Sequence, residues 1–228
     1  MLTSLGPDIH VCQVPYRKLG ITLTRQLVVV QLPHGGLWID SPIPWTPALR
    51  AALARLGEVR HVIGPNRQHD ECLKEFQAEY PEASFHAAPG LAAQRRDVRF
   101  VPAPLSDTAH ADWQGVIDQH LVRGMPLLNE VVFLHRASRS LILADLAFNL
   151  GPGDGWAINL LLKLGGTSGR FAPSRACRLM MRDRAAVRAS IDRLLAWDFD
   201  RIIVGHGRNI ESDGRAALRE AFAFLRAK

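Results

Sequence analysis

Four short apolar runs in this chain each lead into a group that can carry a proton or hold a metal. Leu37–Ile39 stops at Asp40. Val59–Ile63 stops at Gly64-Pro65 and runs into Asn66, Arg67, His69 and Asp70. Leu141–Ala144 stops at Asp145. Ile202–Val204 passes through Gly205 to His206. Short β-branched apolar runs bounded by Gly, Pro or Asp read as buried strands. Polar residues directly after such strands project into the space where strand ends meet. Taken singly, each has a plainer reading. Asp70 supports a helix N-terminus, and Asp40 holds a turn. Together they supply two imidazoles and several carboxylates, a ligand set that suits zinc, iron or manganese.

The intervening elements fix the fold class. Leu27–Leu32, Pro33-His34-Gly35-Gly36 and Leu37–Asp40 form a hairpin. Thr46 caps a helix that starts at Pro47 and ends by Gly57. A helix is expected from about His69 to Tyr80, a strand at Ser84–Ala88, and weaker strands at Val98–Val101 and Val116–Val122. Val131–Leu134 and Leu141–Ala144 form a second hairpin. Helices follow at Trp156–Leu164, Ser174–Met181, Ala185–Trp197 and Asp213–Ala227, with a strand at Arg201–Val204. Hairpins mixed with β-α-β units predict an α/β (α+β) sandwich of sheets covered by helices. There is neither a Gly-x-Gly-x-x-Gly turn nor a Walker-type loop, which disfavours a nucleotide cofactor.

Length and composition narrow the function. The 228 residues suit one domain spanning 1–228. No run is long and apolar enough to cross a bilayer, and the N-terminus lacks the basic start of a signal peptide. Cys12, Cys72 and Cys177 are too few and scattered for a disulfide framework, which points to the cytoplasm. The net charge of +6 is spread over dispersed arginines and disfavours nucleic acid as a partner. His10, His34, His61, His86, His110, His120 and His135 lack partner spacing and read as core or surface residues.

The residues that carry these motifs resemble the metallo-β-lactamase-fold superfamily. Gly36-Leu37-Trp38-Ile39-Asp40-Ser41 is similar to its Gly-x-x-Leu-Ile-Asp-Thr-Gly segment. Val62–Glu71 sits where the superfamily has Thr-His-x-His-x-Asp-His. Val131–Asp145 matches the hairpin ending in the bridging aspartate, and Ile203-Val204-Gly205-His206-Gly207 matches the last metal histidine. The resemblance implies a four-layer αββα sandwich. It also marks a departure: the first two histidines of the motif fall on Pro65 and Arg67, and the histidine before the hairpin falls near Pro126. The chain looks like a divergent branch in which only the second metal site survives, as His69 and Asp70 in swapped order, with Asp145 and His206.

Three readings follow from the resemblance. In the first, His69, Asp70, Asp145 and His206 hold one divalent metal (Zn, Fe or Mn). Asp70 and Asp145 take part in hydrolysis of an ester, thioester or phosphoester in a small-molecule substrate. In the second, the protein is a catalytically inactive pseudo-enzyme without metal, in which Arg67 replaces the first ion and pairs with Asp145 or Asp70. In the third, Asn66, Arg67 and Arg208 bind an anion. Asp40 is expected as a structural carboxylate near the site. The Gly-rich stretch at about 150–182 is expected as a helical, lid-like insertion that covers a hydrophobic substrate, contacts a membrane surface or makes a homodimer face.

Overall fold

A computed structural model describes residues 1–18, 21–151, 164–167 and 169–226. Two β-sheets lie between layers of helices. The first sheet has six strands in sequential order: β1 (Thr3–Gly6), β2 (Ile9–Lys18), β3 (Ile21–Gln31), β4 (Gly36–Asp40), β5 (Glu58–Gly64) and β6 (Ser84–Ala87). β1 to β4 are antiparallel; β4, β5 and β6 run parallel. The second sheet is ordered β12-β9-β8-β7, from β7 (Ile117–Leu121), β8 (Val131–His135), β9 (Ser140–Leu143) and β12 (Arg201–Val204). β12 joins β9 in parallel. A two-stranded ribbon pairs β10 (Phe148–Asn149) with β11 (Phe171–Ala172).

The period of two along each strand sorts side chains into three cores. Trp38, Ile63, Phe133, Ile142 and Ile203 point between the sheets. Leu37, Ile39, Val62 and Phe85 point outward, under α1 (Pro47–Ala54), α2 (Leu73–Glu79) and α3 (Leu91–Gln94). Leu141, Leu143, Ile202 and Val204 point the opposite way, under α4 (Arg175–Leu179), α5 (Arg184–Leu195) and α6 (Gly214–Ala221). Both faces of each central strand are therefore buried, which explains runs that are apolar throughout instead of alternating.

This is the αββα sandwich that the resemblance implies. Thr46 accepts from Leu49 N–H, and Pro47 opens α1. The expected second helix starts late, at Leu73. The Asn66 side chain accepts the N–H groups of Gln68 and His69 and holds this stretch as a turn. Val98–Val101 forms no strand: Val101 and Leu105 donate to β6, but Pro102 and Pro104 lack the donors a ladder needs. β2, which no apolar run bounded by turn residues marks in the sequence, pairs with β3 over its whole length. Within the expected insertion, α4 and β11 are described; the helix expected at Trp156–Leu164 lies almost wholly outside the described residues.

The parallel strands place the site. β4, β5, β9 and β12 all end at the same edge of the sandwich, and backbone hydrogen bonds stitch the two sheets together there. Gln26 N–H donates to Gly205 O at 3.0 Å, and Val131 N–H donates to Pro65 O at 2.8 Å.

Candidate metal centre

His69, Asp145 and His206 meet at this edge. His69 Nε2 lies 3.3 Å from Asp145 Oδ2 and 3.3 Å from His206 Nε2; His206 Nε2 lies 3.4 Å from Asp145 Oδ1. Among the described residues this is the one His/Cys/Asp/Glu group whose ligand atoms lie mutually within 4.8 Å. Donor atoms bound about 2.0–2.1 Å from one ion at tetrahedral angles stand roughly 3.3–3.4 Å apart. The spacing fits a single small cation.

The outer side of each ligand is fixed. His206 Nδ1 is 2.6 Å from Thr24 O. A carbonyl only accepts, so the proton sits on Nδ1 and Nε2 presents a lone pair. His69 Nδ1 is 2.9 Å from Ser41 Oγ, and Ser41 donates its own proton to Asp40 Oδ2 at 3.0 Å. His69 thus donates from Nδ1 and also turns a lone pair inward. Two lone pairs and a carboxylate face one another, an arrangement of acceptors that a divalent ion completes. Ser41 holds a left-handed backbone (φ 55°) to reach both partners.

Buried acids support the cluster. Asn66 donates to Asp145 Oδ2 at 2.9 Å and to Glu130 Oε2 at 3.0 Å. Glu130 accepts the N–H groups of Ala144 and Asp145 at 2.9 and 2.7 Å. Burial, with the charge of Asp145 adding, raises the Glu130 carboxyl to about 7. Burial also raises Asp40 to about 8, against the pull of its Ser41 hydrogen bond. Burial alone would raise Asp145 too, but His69 and His206, when protonated toward it, pull it well below the usual carboxylate range. Burial lowers His69, favouring the neutral ring a metal needs.

Two glycines make room for His206. A Cβ on Gly205 would come within 2.6 Å of Ala144 O and 2.9 Å of His69 Cε1. Gly207 has φ 98°, and a Cβ there would overlap the Asn149 carbonyl. The His206 ring stacks between Tyr16 (centroids 6.0 Å apart) and Phe148 (5.7 Å).

A pocket of about 290 Å³ opens over the cluster. Its walls are mostly apolar, including Leu23, Leu128, Phe148 and Met180. Among the described residues its one cationic side chain is Arg25, buried on β3, with Nη1 3.0 Å from Glu71 Oε2 and its guanidinium 5.2 Å from the Tyr16 ring centroid. Cys177 also lines it, but burial raises its thiol pKa and the proton is directed at Leu146 O.

Several expected site residues lie elsewhere. Asp70 turns away from the cluster to Gln94 Nε2 at 3.2 Å and Arg95 Nη1 at 3.4 Å, because the end of α3 and the capping residue after it present two donors to it. Arg67 pairs with neither Asp145 nor Asp70. Its Nη1 donates to Pro126 O at 3.2 Å, since the backbone bond from Arg67 N–H to Leu128 O turns its side chain outward. Asn66 is fully buried and serves Asp145, so no ligand reaches it. Arg208 is exposed; its backbone is tied to Asn149. Asp40 stands behind His69 through Ser41. Ser41, Glu130, Thr24, Arg25 and Tyr16 were not singled out from sequence. Ser41 had a signal, a second polar residue at a strand end; Glu130, one acid before an all-apolar strand, had only a faint one.

The model of a family described as a domain of unknown function, DUF4336, matches residues 18–154, more than half of the chain. The chain belongs to the DUF4336 family. No curated protein matches it in sequence. Similar solved structures include the metallo-β-lactamase from Pontibacter korlensis, at 13% identity and TM-score 0.66, covering 100% of this chain and 99% of that one. The DIM-1 metallo-β-lactamase is 14% identical with TM-score 0.67, covering 99% and 96%. The Flv1 flavodiiron core from Synechocystis is 14% identical with TM-score 0.67, covering 99% of this chain and 60% of its own. At these identities the likeness is one of fold. This DUF4336 chain is a divergent member of the metallo-β-lactamase fold. The family match includes His69 and Asp145 and stops before His206. Among the described residues no helix is long and apolar enough to cross a membrane.

Proposed function

We propose that this chain, acting as one domain, is a single-metal hydrolase of a small-molecule ester, thioester or phosphoester. The observation that carries the reading is the meeting of His69 and His206, 3.3 Å apart, over the two oxygens of Asp145 at 3.3 and 3.4 Å, with both outer ring nitrogens held by other partners. A divalent ion held there supplies a Lewis acid that activates water and polarises an acyl or phosphoryl oxygen. Ser41 and the Thr24 carbonyl fix the two rings. Asn66 keeps Asp145 aimed inward. The apolar walls exclude bulk water and receive the non-reacting part of the substrate. Arg25 offers a positive charge to an anionic group at the back of the pocket.

The pseudo-enzyme reading gains nothing from Arg67, whose guanidinium faces Pro126 and not the acids. Free Cys12, Cys72 and Cys177, all buried, fit a reducing cytoplasm.

Metal analysis of the purified protein tests the proposal, followed by titration of metal-free protein with Zn, Fe(II) and Mn(II). One equivalent bound by the wild type and lost in His206→Ala, with metal-dependent turnover of an ester, thioester or phosphoester in a substrate panel, is expected. Absence of micromolar binding for all three ions overturns it.

A further inference from the structure

Exposed apolar side chains are ordinary when scattered and informative when gathered. Among the described residues the large ones are Met1, Leu127 (48% exposed), Leu164 (54%) and Leu179 (81%). Leaving out the terminal Met1, two of the three flank the same pocket. Leu127 precedes Leu128, and Leu179 precedes Met180; Leu128 and Met180 both line the pocket over the metal centre. The two segments are tied together, since Arg182 and Asp183 N–H both donate to Gly124 O, at 2.9 and 3.2 Å. The third, Leu164, lies two residues before Gly166, whose carbonyl accepts from Arg170 Nε and which packs beside Arg175.

The same rim is cationic. From Leu164 to Arg182 the chain has Arg170, Arg175, Arg178 and Arg182 and no acidic residue. On α4, Arg175, Arg178 and Leu179 are spaced i, i+3 and i+4, which places them on one face, while Cys177 is buried against the pocket. Arg178 and Arg184 both lie over the Phe224 ring, at 4.1 and 5.4 Å. Among the described residues, none of these five arginines pairs with a carboxylate. Nucleic acid would engage the charge but offers no apolar phase for aliphatic leucines. A bilayer with anionic headgroups meets both features at once, the guanidinium groups at the phosphates and the leucines below them.

We propose that the pocket rim, with Leu127, Leu179 and the arginines of α4 and its flanks, docks on a membrane surface rich in anionic lipid. This does not depend on the hydrolase reading. The pocket mouth would then face the bilayer, where an amphiphile could enter without crossing water.

Sedimentation of the full chain with vesicles is the test. Vesicles of phosphatidylcholine mixed with phosphatidylglycerol should pull it down; pure phosphatidylcholine should not; added salt should release it. Arg175→Glu/Arg182→Glu should cut partitioning at least ~25-fold, taking each headgroup contact as roughly fivefold. Leu179→Ser should weaken it severalfold with no change in melting temperature. Failure to bind the mixed vesicles overturns the proposal. So does binding indifferent to Leu127→Ser and Leu179→Ser, or tight binding of duplex RNA or DNA that outcompetes the vesicles; these would mark a polyanion site without a membrane.

Discussion

The amide of Asn66 holds the carboxylate of Asp145, 79 residues further along the chain, at 2.9 Å, and reaches Glu130 with the same nitrogen at 3.0 Å. One buried side chain therefore fixes the acid of the candidate metal centre and also donates to an acid that burial has raised to about 7. Its carbonyl accepts the N–H groups of Gln68 and His69. Asn66→Ala leaves several buried polar groups unpaired. The expected loss is about 3 kcal/mol of stability, read from urea unfolding, with weakened metal binding.

Removing a ligand should differ in kind from removing its support. His206→Ala should weaken metal binding at least ~100-fold, whereas Ser41→Ala, which frees His69 Nδ1, should weaken it about 10- to 100-fold. Isothermal titration with zinc measures both. Equal affinity in Ser41→Ala and wild type would mean that the Asp40–Ser41 bond plays no part in orienting the ring.

Gly205→Ala pushes a methyl group into Ala144 O and the edge of His69. About 2 kcal/mol of stability should be lost. Because His69 is displaced, metal affinity should fall as well. A variant that loses stability while keeping wild-type affinity would show that the backbone, and not the imidazole, yields.

Two sets of buried groups should give stability opposite slopes with pH. His61 and His86 face each other, Nδ1 to Nε2, at 3.2 Å. Burial lowers them to about 4 and about 3, with His61 and His110 adding to the shift of His86. The unfolded chain then binds more protons, so stability is lost as pH drops from about 6.5 toward 4. His86→Gln should lessen that loss. Asp40, raised to about 8, has the opposite sign. The native state holds its proton longer, so stability declines as pH rises from about 4 to 8. Asp40→Asn should flatten the decline. Melting temperatures of metal-free protein across pH check both, and unchanged slopes in the variants would remove these groups from the account.

Arg25→Met should leave zinc affinity within about threefold, because it touches no ligand, yet should abolish any inhibition of the metal-loaded protein by carboxylates or inorganic phosphate. Inhibition that persists at the same concentrations would assign the anion to another group.

The sequence by itself determined most of the central strands, though not β1, β2 or the order in which the strands pair. Runs such as Leu37–Ile39 and Ile202–Val204, apolar at every position, can only be strands buried on both faces, and the residues after them must lie at strand ends. That was enough to nominate His69, Asp145 and His206. It was not enough to separate Asp70 from them, or Asn66 from the ligand-binding residues. His69 and Asp70 are adjacent and chemically equivalent as candidates; only the turn held by Asn66 and the donors at the end of α3 decide that one faces the cluster and the other faces Gln94 and Arg95. Glu130, Ser41 and the Thr24 carbonyl were invisible for the same reason. Their roles come from contacts between segments far apart in the chain, and local pattern encodes which residues a strand buries but not which atoms meet across two sheets.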